Sequence, residues 1–190
     1  MIFDNYRERV NSRLESYLSS ICSESHQLSE LKNVIRYSVL AGGKRFRPIL
    51  TYTTAGLYDI DLVKVDASAC AVELIHIYSL IHDDLPAMDD DDIRHNQPSC
   101  HKAFGEAQAI LAGDGLQALA FEVLSKDELI ESDIRIKLLK LLSISAFEMA
   151  PRIRWTPVLL DQILLADDEL AVLLQTRHRG HTRALLLSAV

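Results

Sequence analysis

Helical spacing of apolar residues dominates the chain, and stretches that alternate apolar and polar residues with β-branched enrichment are lacking. The pattern predicts helices over about 3–20, 29–41, 48–57, 64–84, 106–124 and 133–149. Glycine takes a left-handed cap without strain, so Gly42-Gly43 is expected to stop the second helix. Pro48 suits the first turn of the third, where a missing N–H costs nothing. Asp66 or Ser68 is expected in the first turn of the fourth. Pro86 should end or kink that helix, since it lacks an N–H and clashes with the preceding turn. The expected fold class is therefore all-α.

From Pro151 the pattern changes. The segment 151–157 holds two prolines and the single tryptophan, Trp155. An apolar stretch follows from Val158 to Leu174, and then the basic patch Arg177-His178-Arg179-Gly180-His181. The expected organisation is one helical unit over 1–150 and a divergent tail over 151–190, from a shifted reading frame or another source of divergence.

Charge sharpens the picture. The chain of 190 residues has a formal net charge of −7. Six aspartates lie between Asp83 and Asp92, namely Asp83, Asp84, Asp89, Asp90, Asp91 and Asp92, and without them only −1 remains. The acidity is thus local, and no basic stripe suits nucleic acid. Cys22, Cys70 and Cys100 are scattered and odd in number, which argues against a disulfide framework or a Cys-based zinc site. No apolar run reaches membrane-spanning length, and the charged start MIFDNYRERV lacks a signal-peptide core, so a cytoplasmic location is expected.

The acid cluster is costly as it stands. Asp83 and Asp84 fall near the C-terminus of a predicted helix, where each negative charge is disfavoured by roughly 0.3–1 kcal/mol. Hard divalent cations would relieve the crowding. Oxygen ligands without a His or Cys partner suit Mg²⁺, which keeps waters and substrate phosphates in its shell. An EF-hand calcium loop fits poorly, because counting from Asp83 puts Met88 at its sixth position and Arg94 at its twelfth.

Cations accompany the acids. Lys44, Arg45 and Arg47 lie between Gly42-Gly43 and Pro48, a flexible basic loop suited to a phosphate group. His76 precedes Asp83 by seven residues, two helical turns, which aligns the two on one face. Arg94 and His95 follow the acids directly. Cations flanking a magnesium site point to a ligand carrying diphosphate.

The string from Glu73 to Asp92 is similar to the first aspartate-rich region of bacterial polyprenyl synthases. Residues 42–48, Pro98 to Ala107 and Ile110 to Asp114 resemble that family's other motifs, in order and spacing. The resemblance covers about 1–150 and points to farnesyl diphosphate synthases of the polyprenyl synthetase family. It implies an isoprenoid-synthase-type helical bundle around a central cavity and a prenyltransferase that joins isopentenyl diphosphate to dimethylallyl or geranyl diphosphate. Carried over residue by residue, Asp83 and Asp89 would ligate Mg²⁺ with Asp84 assisting, and Arg94 would hold the allylic diphosphate. Lys44, Arg47 and His76 would hold isopentenyl diphosphate. His95 stands where the family has a second arginine, a weaker phosphate partner. Tyr78, five residues before Asp83, would limit the product to the farnesyl length, with geranylgeranyl synthesis the near alternative. The resemblance also implies a homodimer.

Departures begin at Pro151, where the family continues with a glycine-glutamine-aspartate motif. The second aspartate-rich motif is not found in 151–190. Weak or absent turnover is therefore expected, with a non-catalytic subunit of a prenyl synthase as the alternative role.

Overall fold

The computed structural model describes residues 2–21 and 26–149. Among them are seven α-helices: α1 (Ile2–Ser20), α2 (His26–Val39), α3 (Phe46–Leu57), α4 (Asp66–Asp83), α5 (Cys100–Phe104), α6 (Glu106–Ser125) and α7 (Ser132–Met149). A 3-10 turn, Leu62–Val65, leads into α4, and a two-stranded antiparallel hairpin, β1 (Ile93–Arg94) and β2 (Gln97–Pro98), precedes α5. The divergent tail expected from Pro151 onward lies outside the described residues.

Sequence periodicity explains how the bundle closes. Tyr6, Val10, Leu14 and Leu18 recur every fourth residue and form the buried stripe of α1. By contrast, α4 buries residues around most of its circumference, from Ala67 to Ile81, and so reads as broadly apolar rather than striped. It packs chiefly against α6 and also meets α1, α2, α3 and α7. Full burial of each large aliphatic side chain here, such as Leu14 or Leu74, contributes about 1.5–3 kcal/mol. Further out, Phe147 and Ile136 of α7 remain exposed. Cys70 and Cys100 are buried free thiols.

One polar hub fixes the start of α4. Asp66 accepts from Arg9 Nε at 2.6 Å and Nη2 at 2.7 Å, from Arg13 Nε at 2.9 Å and from the Tyr52 hydroxyl at 2.9 Å. A buried carboxylate needs such partners, and its place in the first turn also matches the positive end of the helix dipole. The hub ties α1 and α3 to the helix that carries the acids.

Close approach of α4 to α6 depends on Gly113. A Cβ there would lie 2.2 Å from Nε2 of His82. The glycines of the basic loop have another role than the expected helix stop. Helix α2 ends at Val39, and Gly42 and Gly43 adopt φ values of 94° and 114° inside the loop that follows. Only glycine takes such angles without strain. Pro48 does lie in the first turn of α3, and α4 does end before Pro86.

Candidate functional site

Asp83 closes α4 and Asp84 caps it. The chain then turns tightly: Leu85 N–H donates to the His82 carbonyl at 3.2 Å and Met88 N–H to the Leu85 carbonyl at 2.8 Å. Asp89 N–H donates to the Asp83 carbonyl at 2.9 Å, so residues 85–88 fold back and Asp89 returns to Asp83. Burial is the main reason the Asp83 carboxyl is pushed up to about 6, with the charges of Asp89 and Asp84 adding and Arg94 and His82 opposing. Crowded, partly buried carboxylates of this kind are short of positive charge.

Asp84 has a different environment. Its side chain is 2% exposed and is gripped by Arg94, whose Nε lies 3.1 and 3.2 Å from its two oxygens and whose Nη2 completes a fork. Burial raises Asp84 above the usual carboxylate range, and the Arg94 bonds pull it back without cancelling the rise. Arg94 also donates to Asp91 at 2.8 Å. Two of the six aspartates are thereby paired internally.

Arg94 owes its position to the hairpin. His95 and Asn96 both take left-handed backbone angles, φ 52° and 63°, which is the two-residue turn that matches strand twist. The hairpin returns the chain to Ser99, whose N–H donates to the Asp92 carbonyl at 2.9 Å. It also sets the His95 ring against Gly43, where a Cβ would lie 3.3 Å from Cε1 and Nε2. The basic loop and the segment after the acids are thus neighbours.

The cations converge on His76. Burial is the first cause of its depressed pKa, about 3, and Arg47, His95, Arg45 and Arg94 follow in that order. The imidazole is therefore neutral at ordinary pH, a hydrogen-bonding partner rather than a cation. Arg47 itself is lowered by burial, with Glu73 opposing. Lys44 is exposed. Arg45, by contrast, turns inward. Its side chain is 3% exposed and donates to Glu73 at 3.0 Å, to Asn11 at 2.9 Å and to the Val39 carbonyl at 2.5 Å. Of the three cations in the loop, Arg45 is the anchor.

Tyr78 is buried on α4, with its ring edge-on to His82 at 5.6 Å between centroids. Burial raises its phenol above the usual range, and the charge of Asp83 adds to the effect.

Sequence reasoning treated the six aspartates as one cluster and missed a division among them. Asp90 and Asp92 face α5. Lys102 Nζ lies 2.8 Å from Asp92 and 3.7 Å from Asp90, and His101 Nε2 lies 3.9 Å from Asp90. Ligand atoms of Asp90, Asp92 and His101 all fall within 4.8 Å of one another, a set that could hold a metal ion. Asp83 and Asp89 offer carboxylate oxygens, and Arg94 and His82 offset their crowding only in part, so those residues also fit Mg²⁺.

The chain belongs to the polyprenyl synthetase family, whose model matches residues 28–151. It is 42% identical over 185 residues to the farnesyl diphosphate synthase of Haemophilus influenzae, covering 96% of this chain and 60% of that protein. The Escherichia coli farnesyl diphosphate synthase is 48% identical over 124 residues, or 65% of this chain and 40% of that protein. Among solved structures, a geranyltransferase from Legionella pneumophila superposes with a TM-score of 0.70 at 38% identity, covering 95% of this chain and 70% of that one. The fold is that of the isoprenoid synthases. The chain spans 60% or less of these two curated relatives. No helix among the described residues is long and apolar enough to cross a membrane.

Proposed function

We propose that this chain binds isoprenoid diphosphates with Mg²⁺ for prenyl transfer of the farnesyl diphosphate synthase type. One observation carries the reading: a crowd of carboxylates and a crowd of bases, only partly neutralised by each other, meet at Arg94. Burial pushes Asp83 up and the carboxylates of Asp89 and Asp84 add to it, while burial pushes His76 down and Arg47, His95, Arg45 and Arg94 add to that. A magnesium diphosphate relieves both at once, because its cation meets the acids and its oxygens meet the bases.

Each residue then has a task. Asp83 and Asp89 would hold the metal, with Asp84 orienting Arg94 toward the allylic diphosphate. Lys44, Arg47, His76 and His95 would hold isopentenyl diphosphate, His76 through a neutral ring N–H. Magnesium, when bound, would supply charge neutralisation and orientation for the departing pyrophosphate. The allylic C1–O bond breaks, the isopentenyl double bond attacks C1, and a proton leaves the new cation. Tyr78, packed beside His82 one turn below Asp83, would set the depth available to the growing chain. We assign the protein a cytoplasmic setting and a homodimeric state on the family resemblance.

The test is calorimetric titration with geranyl diphosphate, with and without Mg²⁺, followed by product analysis with isopentenyl diphosphate. Binding should require the metal, and any product should be the C15 diphosphate. Equal affinity in the presence of a chelator would overturn the proposal. In the same assay Tyr78→Ala should shift product toward C20.

A further inference from the structure

We propose a second metal site, for a transition-metal ion such as Zn²⁺, formed by His101, Asp90 and Asp92 and separate from the Asp83–Asp89 pair. His101 is the central ligand. It lies in α5 and is 6% exposed, yet its Nε2 makes no hydrogen bond. A buried polar atom left unpaired is costly and calls for a partner. Its other nitrogen, Nδ1, sits 3.1 Å from the hydroxyl of Ser99, which is also buried. When Nδ1–H donates to Ser99, Nε2 keeps its lone pair, and this support of the far nitrogen is how metal-binding histidines are oriented.

The lone pair has carboxylates close by. Asp90 Oδ1 is 3.9 Å from Nε2, and Asp92 completes a triangle with no side longer than 4.8 Å. Metal–ligand bonds of about 2.0–2.2 Å need neighbouring ligand atoms roughly 3–3.5 Å apart. The exposed carboxylates therefore have only about an ångström to travel. One imidazole with two carboxylates favours Zn²⁺, Mn²⁺ or Co²⁺ over Mg²⁺. Lys102 is the competing cation, 2.8 Å from Asp92. It would have to swing away, which its exposure permits. A bound ion would cross-link the aspartate loop to α5. Asp90 holds a left-handed backbone angle, φ 51°, immediately after Asp89, so the cross-link would stiffen the loop that presents Asp89.

Titration of the full chain with Co²⁺ in excess Mg²⁺ tests this, read by visible d–d absorption and by the ring ¹⁵N shifts of His101. Asp90→Asn and Asp92→Asn are exposed, and asparagine tolerates the left-handed angle at 90, so both variants should fold with an unchanged circular dichroism spectrum. Each should weaken Co²⁺ binding by about tenfold or more. Lys102→Met should tighten it, and Asp83→Asn/Asp89→Asn should leave the His101 shift on metal addition intact. A His101 ring that does not respond to Co²⁺ or Zn²⁺ would overturn the proposal. So would metal binding that is indifferent to Asp90→Asn and Asp92→Asn.

Discussion

The Arg45–Glu73 pair anchors the basic loop to α4, and removing half of it should be far worse than removing both halves. The two side chains are 3% and 4% exposed, 3.0 Å apart. Glu73→Leu leaves a buried guanidinium with two neutral acceptors, Asn11 and the Val39 carbonyl. An uncompensated buried charge costs about 3–5 kcal/mol. For a chain of this size, each kcal/mol lowers Tm by about 2–4 °C, so the loss is roughly 6–20 °C. Arg45→Met should cost a similar amount, because it strands the Glu73 carboxylate. The double variant keeps apolar volume and strands neither partner of the pair, although Arg47 loses the nearby Glu73 charge. It leaves two acceptors without their donor, about 1 kcal/mol each, and should sit only about 2 kcal/mol below the parent. Chemical denaturation of the four proteins closes the cycle. Strictly additive losses would refute the reasoning, as would a Glu73→Leu cost below about 1 kcal/mol.

Four more outcomes follow from the same geometry. Because the Asp83 carboxyl must lose its proton to bind a cation, Mg²⁺ affinity should fall by up to about tenfold per pH unit below pH 6 and level off above it, as calorimetry across pH 5–8 would show. The sign for stability is opposite: folding raises this pKa above the ordinary carboxylate value of 3.8, so its contribution declines as pH rises from about 4 to about 6, and Mg²⁺ should remove that decline. Gly43→Ala meets both a φ of 114° and the His95 ring at 3.3 Å, so it should cost about 1–3 kcal/mol in thermal unfolding and weaken diphosphate binding with it. Gly113→Ala drives a methyl into His82; the ring must leave the Ile110 carbonyl at 3.2 Å, for a loss of about 1–3 kcal/mol by the same measurement.

The long helices were legible because periodicity reports burial directly, as the Tyr6–Val10–Leu14–Leu18 stripe of α1 illustrates. The short elements were not. The hairpin turns on His95-Asn96, residues without the usual glycine signal, and α5 has only five residues, too few for a period to register. The grouping of charges was legible and its division was not. Spacing in the chain cannot say that Arg45 turns inward to Glu73 while Arg47 faces His76, nor that Arg94 grips Asp84. Those choices are made by long-range packing of α1, α4 and the hairpin. Likewise His101 looked unremarkable in sequence, because what distinguishes it is a buried nitrogen without a hydrogen bond.

The account stands or falls on whether Asp83 and Asp89 make diphosphate binding depend on magnesium. Titrating geranyl diphosphate into the parent chain and into Asp83→Asn/Asp89→Asn, each with and without Mg²⁺, measures this directly. The account predicts that the metal strengthens binding in the parent and adds nothing in the variant. A variant that still responds to magnesium as the parent does would contradict it.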